Sequence, residues 1–418
     1  MAKIDDKSLK ILSELLLSEK PLSTAEVAKI TGYPRSTLDP YITRLIESGY
    51  LLDGGRDKYH GWIINEKYKQ HVLDIVTTNG ATIGSTLRAV EQKYGKNKWI
   101  HLIDADGTIP NLALMKISAW HKARGDRVTM SKGEVIGFRH NAPDKIYVSI
   151  IFKKNAEMHS DLASMFPDTE VDIGGSGIDL KKALLPEIEL VKPDYDLYPR
   201  NKTSIGFASR GCIRNNKSCP WCIVPQKEGK LKRAQHPREW YNPAFKRIIF
   251  LDNNILGDKD WFFEITSWCL EKKLKIWFTQ GLDVRLLDLQ VAQRLFQFKA
   301  HHMLTFAWDD LKYEKAVRKG VATLREAGFT DTMLRAHIQF YVYVDSDADY
   351  DSGIYRCREL KKLGCNTYVM FNIDNQQTQR IIDLKRWSKG KAAFWTFDIA
   401  DYNPQLCMSA KKSSHVSV

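Results

Sequence analysis

Nowhere in these 418 residues does an apolar run approach the length of a bilayer-spanning helix, so no membrane partner is expected. The opening "MAKIDDKSLK" lacks the apolar centre of a signal peptide, which gives the expectation of a cytoplasmic chain. Cysteine is scarce and odd in number. Seven thiols in a long chain argue against a disulfide framework and for a reducing compartment. The rest is ordinary globular material, with 43% hydrophobic and 27% charged residues. The length exceeds one ordinary core, and two or three domains are expected. The compositional excess is positive charge: 63 Lys and Arg against 50 Asp and Glu, a formal +13 that suggests an acidic partner.

That excess is concentrated. From Arg200 to Arg247 there are twelve Lys or Arg against Glu228 and Glu239, a net of +10. Within this stretch lies "RGCIRNNKSCPWCIVPQKEGK", which holds Cys212, Cys219 and Cys222, three of the seven cysteines in eleven residues. A solvated basic loop and a nucleic-acid contact by Lys230, Lys232 and Arg233 are both compatible with such a run, and its position around a cysteine cluster leaves the two readings level.

Residues 1–66 read as a unit. "SLKILSELLLSE" has helical apolar spacing, Ser23 caps "TAEVAKITG", and Arg35 opens "RSTLDPYITRLIESG", which Gly49 closes. "YLLDGG" and "YHGWIIN" follow as two strands. Three helices and a hairpin in this order resemble a winged helix-turn-helix, whose third helix enters the DNA major groove. The resemblance puts Arg35, Ser36, Thr37, Tyr41 and Arg44 on or near its exposed side, and Arg56 and Lys58 on the wing. Pro40 is tolerable only near the helix start. Residues 67–98 read as a helical connector.

From residue 99 the pattern becomes strand-then-helix. "WIHLID", "KIYVSIIF" and "TEVDIGG" are strands; "TIPNLALMKISAWHKARG", with Pro110 in its opening turn, and "NAEMHSDLASMF" are helices. Such alternation predicts a small doubly wound parallel sheet over 99–198. His121, mid-helix, reads as a surface or packing residue rather than a ligand. Six further strand candidates over 199–387 predict a partial (β/α)6 barrel, with its site at the carboxyl ends of the strands. Residues 388–418 are a C-terminal extension.

The cysteine run follows the first of those six strands. Structural zinc prefers four ligands in two pairs, and here only His236 or a remote cysteine would complete the set. Three thiolates on a four-iron cube instead leave one iron open to another ligand. Cys212, Cys219 and Cys222 in this position resemble the cluster loop of the radical SAM enzymes. The resemblance implies a [4Fe-4S] cluster that cleaves S-adenosyl-L-methionine to a 5′-deoxyadenosyl radical. It also implies a reductant protein of flavodoxin or ferredoxin type and a role near adenine for Trp221.

Asp252, Asn253 and Asn254 end the second barrel strand, where the family binds the methionine amino group. Gln280, Asp283 and Arg285 end the third, where they would take the ribose and carboxylate. Asp283 with Arg285 is equally readable as a structural ion pair. Asp309-Asp310 and "YVYVDSD" end the next two strands. Residues 99–198 are similar to the cobalamin-binding-like, flavodoxin-like domain that precedes many such barrels. "DADGTIPN" has no histidine to ligate cobalt, so cobalamin is not expected, although Gly174 and Gly175 resemble glycines around the nucleotide tail.

The expected fold class is α/β: a radical SAM partial barrel, preceded by the small parallel-sheet domain and the winged helix. The expected function is radical modification of DNA or RNA. Two alternatives stand beside it: radical chemistry on a small molecule or peptide, and a cluster-bearing DNA-binding redox regulator without turnover. No oligomeric state is readable. Cys269, Cys357, Cys365 and Cys407 read as buried small hydrophobes.

Overall fold

A computed structural model describes residues 5–18, 20–53, 61–79, 98–133, 142–214, 219, 221–298, 303–372 and 375–404. Arg56, Lys58 and Cys407 lie outside them. The chain divides into two compact units, 1–178 with 184–197 and 179–183 with 198–418.

In the first unit, helix α1 (Asp6–Leu17) starts where the Asp5 carboxylate accepts from the Ser8 N–H at 2.9 Å. Helix α2 (Thr24–Thr31) has a capping box. The Ser23 hydroxyl accepts from the Glu26 N–H, and the Glu26 carboxylate accepts from the Ser23 N–H at 2.8 Å. Gly32 ends that helix in the left-handed region, φ 76°. Helix α3 (Arg35–Glu47) buries Leu38, Ile42 and Leu45, one stripe at helical spacing. Pro40 sits in its second turn on the exposed side, deeper than the sequence favours. Strands β1 (Leu51–Asp53) and β2 (Trp62–Ile64) pair antiparallel, and Leu22 bridges to Trp62 to widen the wing. Helix α4 (Lys69–Asn79) adds Val72, Leu73 and Val76 to the same core.

The rest of this unit is a parallel sheet of β3 (Trp99–Asp104), β4 (Arg127–Lys132), β5 (Lys145–Ser149) and β6 (Glu170–Gly174) in the order β4-β3-β5-β6. With β3 first in sequence, this is the 2-1-3-4 order of flavodoxin-like sheets. Strand β4 is not expected from sequence. Helix Leu112–Ala123 starts after Pro110, with Asn111 as its cap, and buries Leu114 and Ile117 on the sheet. The predicted helix over "NAEMHSDLASMF" reduces to Leu162–Met165, preceded by turns.

In the second unit, β7 (Ser204–Gly206), β10 (Arg247–Phe250) and β11 (Lys275–Phe278) form one parallel sheet in the order β7-β10-β11. β12 (Leu304–Ala307), β13 (Ile338–Tyr343) and β14 (Asn366–Met370) form another, in sequence order. A parallel bridge, Leu282 to Phe306, joins them, with the Leu282 N–H donating to the Thr305 carbonyl at 2.7 Å. Helices Lys259–Glu271, Leu289–Gln297, Glu314–Glu326 and Tyr350–Lys362 connect successive strands. Among the described residues, six parallel strands therefore run in sequential order, and their carboxyl ends face one way. Between β7 and β10 a two-residue ribbon, β8 (Ser209–Arg210) with β9 (Lys232–Arg233), closes the base of the cysteine loop.

Candidate functional site

The cysteine loop is anchored before it reaches its first thiol. Asp252, just past β10, is fully buried and accepts from the Ala208 N–H at 3.1 Å, the Ser209 hydroxyl at 2.6 Å, and the Ser209 N–H. Burial pushes its carboxyl up to about 6 against these hydrogen bonds. Gly211 follows at φ 78°, where a Cβ would come 2.3 Å from the Lys230 carbonyl oxygen. The Glu228 carboxylate accepts from the Gly211 N–H at 2.9 Å and from Asn253 Nδ2 at 2.8 Å, and pairs with Arg210 at 3.3 Å. Asn254 turns towards the thiols: its Nδ2 lies 3.6 Å from Cys212 Sγ. Its buried Oδ1 has no hydrogen-bond partner among the described residues.

Arg214, between the first two cysteines, ties the loop to the end of β11. Its backbone N–H points at Cys212 Sγ and its Nη1 at Cys219 Sγ, each at 3.4 Å. Nε and Nη2 meet the Asp283 carboxylate at 3.1 and 2.9 Å. Arg285 clasps the same carboxylate at 2.8 and 2.9 Å. Burial alone would raise the Asp283 carboxyl; Arg285 and Arg214 override it and hold it at about 2. Both guanidinium groups lie over the Tyr313 ring, at 4.8 Å for Arg285 and 5.9 Å for Arg214.

The three sulfurs share one environment. Burial raises the Cys222 thiol, neighbouring Cys219 and Cys212 add to that, and the Val224 N–H and Arg214 oppose it. Cys219 is buried and the other two half-buried. Among the described residues, no three His, Cys, Asp or Glu side chains converge as around a single ion. A cube takes each thiolate on a different iron and does not require that convergence. His236 is engaged elsewhere: its Nδ1 caps the Arg238 N–H at 3.1 Å, and its ring packs edge-on to Trp261 and Trp268.

The last part of the loop lands on β13. Trp221 stacks on Tyr343 with ring centroids 4.6 Å apart and planes 12° apart, leaving the indole 40% exposed. Gln280 is exposed beyond β11. Burial raises the Asp309 carboxyl, against Arg356 and Arg214. Asp310 pairs with Lys312 at 2.6 Å and Asp347 with Arg380 at 2.7 Å, while Asp345 accepts from the Asn372 N–H at 3.0 Å. Cys269, Cys357 and Cys365 are fully buried, and burial drives all three thiols up, Cys357 and Cys365 to about 12.

Arg214 and Glu228 do not stand out in the sequence as site residues, and Tyr343 is singled out there only as part of "YVYVDSD". A signal for Arg214 is nonetheless present there, since a cation between closely spaced thiols balances their ionised forms.

In the middle sheet, Asp106 accepts from the Ile151 and Phe152 N–H groups at 2.8 and 2.9 Å. Gly175 has φ 104°, and a Cβ there would come 2.2 Å from the Ile150 carbonyl oxygen.

The cations are distributed unevenly. Lys230 and Lys232 are exposed on the return of the loop. Arg233 pairs with Asp258 at 2.7 and 3.0 Å and lies over Trp261, so its charge is matched locally. On α3, Arg35, Ser36 and Arg44 are exposed and Thr37 and Tyr41 half-buried, with the Arg44 guanidinium 5.5 Å from the Tyr41 ring centre.

No curated protein matches the chain. A family model, the IclR helix-turn-helix domain, matches residues 6–52, which hold helices α1, α2 and α3 and the first two residues of β1. Residues 6–52 are an IclR-type helix-turn-helix DNA-binding domain.

Proposed function

We propose that the chain is a radical SAM enzyme that modifies DNA, guided by its helix-turn-helix domain. The observation that carries this reading is the cysteine loop: three thiols in one environment, at the carboxyl end of the first of six sequential parallel strands. Cys212, Cys219 and Cys222 would hold a [4Fe-4S] cluster, and Asn254 Oδ1 beside Cys212, without a hydrogen-bond partner among the described residues, fits a loop built around a further group. When bound, the cluster with S-adenosyl-L-methionine supplies a carbon radical able to take hydrogen from an unactivated C–H bond.

The chain's own residues have separable tasks. Asp252 and Glu228 fix the backbone on either side of the first cysteine. Arg214 balances thiolate charge and holds the loop against Asp283. Arg285 belongs to the same ion-pair network, which makes Asp283 a positioning residue as much as a nucleoside contact. Trp221, half-exposed against Tyr343, presents a flat apolar face suited to a base or adenine ring. A reductant protein would supply the electron. A base stacked in duplex must be unstacked before a radical reaches it, so extruded or single-stranded targets should react best.

The DNA-binding domain equally favours a second reading, a regulator whose cluster senses redox state without turnover. Mass spectrometry of nucleosides from cells expressing the chain or its Cys219→Ala variant separates them. A new deoxynucleoside that requires Cys219 supports the enzyme. Its absence, with DNA affinity that follows cluster oxidation state, supports the regulator.

A further inference from the structure

The basic stretch that is continuous in sequence forms two surfaces in the fold. Lys230 and Lys232 lie on the cysteine-loop side, past the carboxyl ends of the strands. Arg200 and Lys202 precede β7, and Lys246 and Arg247 lead into β10, so these four sit at the opposite, amino ends. The four residues of β10, at roughly 3.3 Å each, put the two ends about 13 Å apart.

At the amino ends these cations line a cleft of about 870 Å³ together with Asn201, Thr203, Ala244 and Phe245, and among the described residues no carboxylate lines it. All four are exposed, and none has an ion-pair partner among the described residues. This contrasts with Arg210, Arg214 and Arg233, each matched by an acid. The charge continues across the sheet: Arg247 sits in register with Lys275, and exposed Lys273 stands on the turn before it. Unmatched charge in this arrangement gains little for the fold, because like charges repel and no burial accompanies them.

We propose that this cleft, on the face remote from the cysteine loop, is a second DNA-binding site that takes backbone phosphates of a duplex. The favoured ligand is DNA because the same chain carries a DNA-binding domain, and a second contact in one chain raises the local concentration of the first. The inference stands whether or not Cys212, Cys219 and Cys222 carry a cluster.

The test is fluorescence anisotropy of the full chain with a labelled duplex of about 30 base pairs across a salt series. The combined variant Arg200→Gln, Lys202→Gln, Lys246→Gln, Arg247→Gln should bind at least about tenfold more weakly. Its log–log salt slope should flatten by about 0.9 for each phosphate that the variant no longer neutralises. The same weakening should appear in an Arg35→Ala, Arg44→Ala background and in a Cys219→Ala background. A Lys202→Arg, Lys246→Arg variant should bind like the parent. A folded quadruple variant, by circular dichroism, with unchanged affinity and slope overturns the proposal. So does a weakening seen only with single-stranded RNA or only with inorganic phosphate.

Discussion

Arg214 and Asp283 stand 69 residues apart and join the cysteine loop to the end of β11 through two contacts of 2.9 and 3.1 Å. Because the same guanidinium also reaches Cys219 Sγ, the ion pair and the thiol cluster are mechanically one unit. Replacing Arg214 by Ala leaves Asp283, nearly fully buried, with Arg285 alone. The expected cost is about 1–3 kcal/mol, with faster release of iron from reconstituted protein. Arg214→Lys should recover only part of this, since an ammonium cannot clasp a carboxylate with two parallel donors. Thermal melting and iron retention of the two variants measure it; parental values in Arg214→Ala would refute the coupling.

Trp221 on Tyr343 is a further tie between the loop and the strand ends. A double-mutant cycle with Trp221→Ala and Tyr343→Ala should return a coupling of about 0.5–1.5 kcal/mol, as expected for an aromatic pair in contact. Strictly additive effects would mean that the two rings do not meet in solution.

Asp252 and Asp283 give the fold opposing pH dependences. The Asp252 carboxyl is raised from an ordinary 3.8 to about 6. Its protonated form is the one favoured by folding, so its contribution is complete below about 3.8 and is lost as pH rises towards about 6. Asp283 is lowered to about 2, so its contribution is complete above 3.8 and is lost as pH falls towards about 2. Asp252→Asn should destabilise the protein, because an amide cannot accept from both backbone N–H groups, and should remove the decline between pH 4 and 6. Melting midpoints of parent and variant should therefore converge as pH rises through that window. Parallel curves would show that Asp252 does not titrate there.

How much of this is legible in the sequence depends on whether a partner is local. The capping box of Ser23 and Glu26, the Gly32 stop and the Leu38, Ile42, Leu45 stripe of α3 are contained in short stretches, and the helix-turn-helix can be read directly. The run of strand candidates after residue 199 likewise appears, among the described residues, as six parallel strands, because buried β-branched or aromatic residues mark each one. Strand β4, "RVTMSK", escapes a sequence reading because charges at both ends and a partly exposed middle give it no apolar signature. "NAEMHSDLASMF" reads as helix by composition, yet only Leu162 in its short helical turn is buried, and propensity without a packed face does not sustain one.

The site is legible at the thiols and less so around them. The fate of a charge depends on a partner that sequence spacing does not reveal. Arg214 and Arg233 count towards a basic surface in sequence, and each is matched in the fold by an acid 69 or 25 residues away. Arg200 and Arg247 count towards the same surface and lie at the other end of the strands.

Anaerobic reconstitution followed by an S-adenosyl-L-methionine cleavage assay tests the central claim most directly. With iron, sulfide and a strong reductant, the parent chain should hold about four irons and four sulfides, as a three-thiolate cube implies, and release 5′-deoxyadenosine and methionine. Cys212→Ala, Cys219→Ala and Cys222→Ala should do neither, while Cys269→Ala should do both. Stoichiometric zinc that reconstitution does not displace, or a full cluster that never yields 5′-deoxyadenosine, would contradict the account.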